Sequence, residues 1–245
     1  MEQVYFTIIE NKALTDSVFR LRLGGDTSAF TAPGQFANIK LDGMFLRRPI
    51  SVCDRSGSML TLIYKVVGKG TEQLSKMTKG EKLDVLIGLG NGYDLEPSGD
   101  RPLLIGGGVG IPPLFGLADE LLQKGCKVTA ILGFNTAKEI FYANEFQMLG
   151  ADVKLTTVDG SAGIKGFVTD AMKGLDYSYF YACGPEPMLR AVFRASTSDG
   201  QMSFEKRMGC GFGACMGCSI RTRSGYKRIC KEGPVLRKEE ILWED

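Results

Sequence analysis

The stretch "RPLLIGGGVGIPPLFGLADELLQKG" (Arg101–Gly125) decides the fold. A short apolar run ends in three glycines, and two prolines then open a segment with apolar residues three and four apart. That is the pattern of a buried strand, a tight loop and a helix. The pattern then repeats. "KVTAILGF" (Lys127–Phe134), "DVKLTTV" (Asp152–Val158) and "DYSYFYACG" (Asp176–Gly184) read as strands. "AKEIFYANEFQMLG" (Ala137–Gly150), "GFVTDAMKG" (Gly166–Gly174) and "PEPMLRAVFRAS" (Pro185–Ser196) read as helices. Strict alternation predicts a parallel sheet covered on both faces across residues 99–200.

Upstream, residues 1–98 follow a different rhythm. "VFRLRL" (Val18–Leu23), "GQFANIKL" (Gly34–Leu41) and "MLTLIYKVV" (Met59–Val67) alternate, while "KLDVLIGL" (Lys82–Leu89) is more continuously apolar. Gly, Pro, Asn and Asp punctuate the gaps, and "TEQLSKM" (Thr71–Met77) is a short helix. Short strands with turn signals predict a small antiparallel β-barrel. Downstream, residues 201–245 are rich in Gly and Cys with little periodicity, which predicts a small appendage.

Composition narrows the chemistry. The chain has 245 residues, 30 basic against 28 acidic, for a net charge of +2. Such a balance excludes a general nucleic-acid binder, which needs a strong basic excess. No stretch approaches the roughly 20 apolar residues of a membrane span. The opening "MEQVYFTIIENKAL" lacks the basic and apolar regions of a secretory signal, so a cytoplasmic address is expected. Seven cysteines without such a signal argue against a disulfide framework. Cys53 and Cys126 read as inert thiols. There is no histidine, which removes Ser-His-Asp and Cys-His catalysis, His-ligated zinc and Rieske-type clusters. No catalytic side chain is predicted; bound cofactors are expected to carry the chemistry.

Four thiols, Cys210, Cys215, Cys218 and Cys230, are spaced C-x4-C-x2-C-x11-C. Plant-type [2Fe–2S] sites use C-x4-C-x2-C and a distant fourth cysteine. Structural zinc sites more often show two separate C-x2-C-type pairs, and only one such pair is present here. A zinc site and plain structural thiols remain the alternatives. The small residues between the cysteines, with glycines at 211, 213 and 217, would let the loop wrap closely and aim its amides at sulfur. From Lys206 to Lys231 there are seven basic residues and no acidic one. They read equally as cations balancing an anionic cluster and as a solvated loop.

Three further segments point to nucleotide ligands. Gly106, Gly107, Gly108 and Gly110 lie between a strand and a helix, where a phosphate meets helix amides. The loop ends in Pro113, however, and no Asp or Glu closes the second strand at Asn135. The usual ribose carboxylate is therefore expected to be missing, and a conventional Rossmann site is disfavoured. Cys183, Gly184 and Pro185 close the last parallel strand over the ligand crevice. In the barrel, "RRPIS" (Arg47–Ser51) offers a cation and a hydroxyl beside a rigid proline. Gly68, Gly70 and Thr71 sit at a helix start. Each segment alone would also pass as a strand end, a packing loop or a capped helix.

Together these residues resemble the ferredoxin-reductase family. Its members join an FAD-binding barrel with an R-x-x-S/T motif to a nicotinamide-binding domain with a G-x-G-x-x-P loop and a C-G-P turn. The match covers nearly the whole chain, and the cysteine tail narrows it to the branch of electron-transfer subunits serving NAD-dependent dihydroorotate dehydrogenases. The resemblance implies that Arg48, Pro49, Ile50, Ser51, Ile63, Tyr64, Lys65, Gly70 and Thr71 hold FAD. It implies that the four cysteines ligate a [2Fe–2S] cluster, and that Gly106–Gly110 and Cys183–Pro185 line the site for NAD as substrate. It also implies a partner, an FMN-containing catalytic subunit, in a two-plus-two heterotetramer of pyrimidine (UMP) biosynthesis. Electrons would pass from that FMN through the cluster and FAD to NAD⁺. Many reductases have Tyr where this chain has Ile50, so ring stacking on the flavin is lost there. A ferredoxin- or sulfide-type reductase of the same build and a zinc-binding regulatory protein are the competing expectations.

Overall fold

The computed structural model describes residues 1–243. Six strands close an antiparallel barrel: β1 (Glu2–Ala13), β2 (Val18–Gly24), β3 (Phe36–Ile39), β4 (Arg48–Ser56), β5 (Met59–Lys65) and β6 (Lys82–Leu89), in the order β1-β2-β5-β4-β3-β6. Strand β1, hidden from a sequence reading by its scattered Glu, Asn and Lys, closes the barrel by pairing with both β2 and β6. Phe6 and Ile8 of β1 point inward with Leu21, Leu23, Leu60, Leu62, Val85 and Ile87, all fully buried. The continuous apolarity of β6 has a tertiary cause. Its inward residues alternate as in any half-buried strand, but outward Leu86 also packs, against the cysteine-bearing segment.

Helix α1 (Lys69–Ser75) covers one end of the barrel through buried Leu74. Asn11 of β1 ties it down, its Nδ2 donating to the carbonyls of Leu74 (2.8 Å) and Met77 (2.9 Å). Tyr64 donates its hydroxyl to Asn11 Oδ1 at 3.1 Å, so the polar end of this buried ring is satisfied.

The second sheet contains β7 (Pro102–Gly107), β8 (Thr129–Phe134), β9 (Asp152–Thr157), β10 (Ile164–Lys165), β11 (Tyr179–Cys183) and β12 (Gly200–Ser203), all parallel. Helices α2 (Phe115–Gln123) and α3 (Ala143–Leu149) cover one face, and α4 (Val168–Met172) and α5 (Glu186–Ala195) the other. Strand β7 shows why both faces are apolar: Leu104 packs with α2, while Leu103 and Ile105 pack with α4 and α5. Val18, Cys53 and Ile63 of the barrel share the core of Leu104, Leu114 and Leu117, so barrel and sheet are joined by a continuous apolar contact. No helix among the described residues is long and apolar enough to cross a membrane.

Two segments differ from expectation. The helix expected over residues 137–150 is broken. A 3₁₀ turn (Ala137–Glu139) precedes an extended Ile140, and α3 begins only after Tyr142, whose φ is 62°. Phe141 and Tyr142 leave the helical path to bury their rings, Phe141 against Phe134 and Tyr142 against Phe115. The cysteine-rich tail is not an appendage hung from the end of the sheet. Its first residues form β12, and it returns as β15 (Val235–Arg237), antiparallel to β12 at the sheet edge. The thiols and the hairpin β13 (Ser219–Thr222) and β14 (Gly225–Arg228) lie on the excursion between these strands.

Candidate flavin, nicotinamide and iron–sulfur site

The sheet order is β10-β9-β8-β7-β11-β12-β15, so the chain reverses direction of growth at β7. Ligands of open parallel sheets bind outside the carboxyl ends of the strands at such a switch point. There, Gly106 of β7 stands beside Cys183 of β11 in the sheet register. Gly110 closes the approach. A Cβ on it would meet the Cys183 carbonyl oxygen at 2.3 Å and the Gly184 nitrogen at 2.6 Å, so glycine is required. Gly107 and Gly184 both abut Met188, each leaving 2.5 Å for a Cβ, while Gly108 (φ 53°) faces open space. The glycine loop and the Cys-Gly-Pro turn, 75 residues apart in sequence from Gly108 to Cys183, thus form one surface.

Between this surface and the barrel lies a cleft of about 320 Å³. Arg48, Pro49, Ile50, Ser51, Ile63, Tyr64, Lys65, Thr71 and Cys183 all stand on its wall. Gly70, Gly106, Gly107, Gly108, Gly110, Gly184 and Pro185 are not on that wall, although Val109 and Cys183, which neighbour most of them in the chain, are. The two arginines of "RRPIS" divide the work. Arg47 is spent on structure, its Nη1 donating to the Asp84 carboxylate (2.9 Å) and carbonyl (3.1 Å). Arg48 has no carboxylate partner among the described residues, bonding the Leu46 carbonyl and Met44 Sδ (3.4 Å). The Thr71 hydroxyl accepts from the amides of Val67 (2.9 Å) and Gly68 (3.3 Å) and donates to the Gly68 carbonyl (3.0 Å). Those bonds shape the loop at the cleft edge. The Tyr64 hydroxyl turns away to Asn11, leaving its strand to form the wall.

Burial, reinforced by the charge of Glu205, pushes the Cys183 thiol up to about 12. It is a neutral, polarizable side chain at neutral pH and not a nucleophile. Glu205 itself escaped the sequence reading, because nothing in "SFEKR" (Ser203–Arg207) sets its carboxylate apart. It lies on the cleft wall, and burial raises its pKa above the ordinary range.

The cysteine loop leaves the cleft directly: Ser203, Phe204, Glu205, Lys206 and Met208 line the cleft, and Cys210 follows. Cys218 and Cys230 are buried, Cys210 is half-buried and Cys215 is exposed. Backbone amides point at the sulfurs. Ala214 and Cys215 donate to Cys210 Sγ at 3.2 and 3.4 Å, Cys210 to Cys215 Sγ at 3.5 Å, and Cys230 to Cys218 Sγ at 3.4 Å. Burial pushes the Cys210 thiol up, but amide donors from Phe212, Cys215 and Ala214 outweigh it and bring it down to about 6. Burial, then the neighbouring Cys218, push Cys230 up to about 12.

These contacts arrange the thiols as two pairs, 210 with 215 and 218 with 230. Among the described residues, no three Cys, Asp or Glu side chains converge on a single metal-ion position. Paired thiolates with inward amides fit a two-iron cluster, which takes two ligands per iron, better than one tetrahedral ion. The expected excess of positive charge is partly neutralised. Lys206 pairs with Glu186 (3.1 Å), Lys227 with Glu240 and Arg228 with Glu232.

The end of the second strand corrects an expectation. Although no acid closes β8, the 3₁₀ turn after it brings Glu139 back to the same place. Glu139 Oε2 accepts from the Asn135 amide (3.2 Å) and Nδ2 (2.9 Å). A carboxylate therefore does stand at the carboxyl end of β8.

Comparison with known proteins agrees with this geometry. Residues 104–194 match the oxidoreductase NAD-binding domain, and residues 205–242 the iron–sulfur cluster binding domain of dihydroorotate dehydrogenase B. A dihydroorotate dehydrogenase B (NAD⁺) electron transfer subunit from Geobacillus sp. (strain WCH70) is 41% identical, over 99% of both chains. Its counterpart from Fusobacterium nucleatum is 40% identical over 96% of each. Among solved structures, that of an NADH-dependent reduced ferredoxin-NADP oxidoreductase superposes with a TM-score of 0.89 at 32% identity, covering 97% of this chain and 90% of that one. A ferredoxin NADP⁺ reductase from Neisseria gonorrhoeae with bound FAD and NADP shares the fold, with a TM-score of 0.70 at 18% identity over 80% of this chain and 90% of that one. By full-length identity and by its matched domains, the chain belongs to the family of dihydroorotate dehydrogenase B (NAD⁺) electron transfer subunits.

Proposed function

We propose that this chain carries electrons from the FMN of a dihydroorotate-oxidising catalytic subunit to NAD⁺, in the cytoplasm, as part of pyrimidine biosynthesis. The observation that carries this reading is the continuity of the site: Ser203, Phe204, Glu205, Lys206 and Met208 line the cleft and lead into the first thiol. In balance, dihydroorotate loses two electrons and two protons to become orotate, and NAD⁺ gains two electrons and one proton. A bound flavin supplies the conversion between single-electron exchange with a [2Fe–2S] cluster and hydride transfer to nicotinamide.

The chain's own residues then have distinct tasks. Arg48, unpaired with any carboxylate among the described residues, presents its guanidinium to the FAD pyrophosphate, with Ser51 beside it. Pro49, Ile50 and the β5 segment Ile63–Lys65 form the wall for the ring system. The bare backbone around Gly106–Gly110 and Cys183–Pro185 lets the nicotinamide approach closely. Glu139, at the end of β8, receives the adenosine ribose hydroxyls and repels a 2′-phosphate, favouring NAD over NADP. Cys210, Cys215, Cys218 and Cys230 hold the cluster. The chain has no histidine and its cleft is assigned to flavin and nicotinamide, so proton abstraction from dihydroorotate is assigned to the partner, in a two-plus-two assembly.

The test assays this chain alone, the FMN subunit alone and their mixture. The mixture should reduce NAD⁺ with dihydroorotate, while this chain alone should oxidise NADH only with artificial acceptors. Dihydroorotate-dependent NAD⁺ reduction by this chain alone would overturn the division of labour. The full-length similarity to the ferredoxin-NADP oxidoreductase favours a second reading, a subunit passing electrons between NADH and ferredoxin. Ferredoxin-linked turnover with no dihydroorotate activity in the mixture would select it. Stoichiometric zinc without visible colour would select a zinc-binding regulator.

A further inference from the structure

We propose that Asn38 is a positioning residue that pins the cysteine loop to β3, the neighbour of the flavin-binding strand β4, and so sets the rate of electron transfer between cluster and flavin. This rests on the reading that the thiols hold a cluster and the cleft a flavin. Asn38 lies in β3, only 1% exposed, between Ala37 and Ile39, which fill the barrel core. In the register it stands opposite Pro49 of β4, a residue of the cleft wall. Its Nδ2 donates to the Cys210 carbonyl at 3.4 Å. Gly211 lies flat against the same amide: a Cβ there would fall 2.2 Å from Nδ2, at a φ of 79° that already favours glycine. One buried side chain thus links the first cluster ligand to β3, the strand paired directly with the flavin-binding strand β4.

The surroundings explain why a polar residue is needed there. Phe36 and Leu89 of the barrel share one apolar cluster with Cys218 and Cys230, and Leu86 and Met208 pack against it. Apolar packing is non-directional, so alone it would let the loop slide. The Asn38 bond is directional and fixes the loop's register. It has a cost, because Asn38 Oδ1 is buried without a hydrogen-bond partner among the described residues. An unmatched buried acceptor destabilises the fold, and a leucine of similar volume would avoid that cost. A residue serving stability alone would not be an amide here. Electron transfer falls off exponentially with separation, so small displacements of the loop change its rate steeply.

Two variants of the cofactor-loaded protein test this by different routes: Asn38→Leu removes the donor, and Gly211→Ala pushes the loop off the amide. Wild-type iron and FAD contents, measured first, establish separately whether the underlying reading holds. Both variants should keep the ligand set, bind iron and FAD, and oxidise NADH with ferricyanide at near wild-type rates. Reduction of the cluster after rapid mixing with NADH should slow several-fold, the direction expected when the loop moves away from the flavin. The electron paramagnetic resonance signal of the reduced cluster should also shift. Unchanged cluster reduction and an unchanged signal in variants that retain iron would overturn the proposal. Loss of iron from both variants with normal flavin content would also overturn it, by assigning Asn38 to loop stability instead.

Discussion

Gly70 and Arg48 are in such close contact that a Cβ on the glycine would fall 2.2 Å from the arginine Nε. Neither a strand motif nor a helix start alone reveals this contact, which joins β4 to α1 and holds the guanidinium at the cleft. It makes Gly70 a sensitive probe of the flavin site. In a helix, Gly→Ala is ordinarily stabilising by about 1 kcal/mol. Gly70→Ala should instead displace Arg48 and weaken FAD binding by about 10- to 100-fold, the usual range for one charge-assisted hydrogen bond. Titration of the FAD-stripped protein with FAD, with Arg48→Ala as the reference, checks this. Normal affinity in Gly70→Ala would remove Arg48 from the site.

Cys215 is the exposed member of the thiol set, so Cys215→Ser disturbs packing least. Losing one of four thiolates should strip or destabilise the cluster and abolish coupled turnover with the partner. FAD content and NADH oxidation by artificial acceptors should survive. Coupled turnover at the wild-type rate would place the cluster off the electron path.

Removing the Glu139 charge should alter coenzyme choice and little else. In Glu139→Gln the KM for NADH should rise about tenfold, while the KM for NADPH falls, because a site built to bond a hydroxyl discriminates strongly. The kcat with NADH should change less than twofold to threefold, since Glu139 touches no reacting atom. An unchanged NADH-to-NADPH ratio of kcat/KM would place the adenosine end elsewhere.

Glu205 has a folded-state pKa raised by burial above the ordinary 4.5. The folded protein therefore binds more protons than the unfolded chain between those two values. Stability from this group is fully present below 4.5 and declines as pH rises through the raised value. Glu205→Gln should consequently melt slightly higher than wild type at pH 8, solvent screening of this exposed carboxylate keeping the difference small, with the gain vanishing toward pH 4. Thermal melts across that range read the difference directly. A gain that grows on acidification would reverse the assignment.

The features legible in the chain are those whose physics is local. Cysteine spacing, the glycine run after a strand, the rigid Arg-Pro-Ile-Ser segment and the alternation of β2 and β5 depend on backbone geometry within a few residues. They pointed to the barrel strands and to Cys183 on the cleft wall, but not to the wall contributed by Ser203, Phe204, Glu205, Lys206 and Met208. Other features depended on packing between distant segments. Strand β1 became recognisable only once it paired with β6, because its polar residues mask its alternation. The helix expected at residues 137–150 broke because the barrel and α2 offered burial to Phe141 and Tyr142, outweighing helix propensity. That break turned Glu139 back toward Asn135 and supplied the carboxylate that the end of β8 lacked. Asn38 and Gly211 stand 173 positions apart, and no local pattern distinguishes either from an ordinary strand or loop residue. Local chemistry dictates which ligands the chain can hold. Which side chains meet around them depends on barrel closure and its packing against the sheet, because those two events set the register between segments distant in sequence.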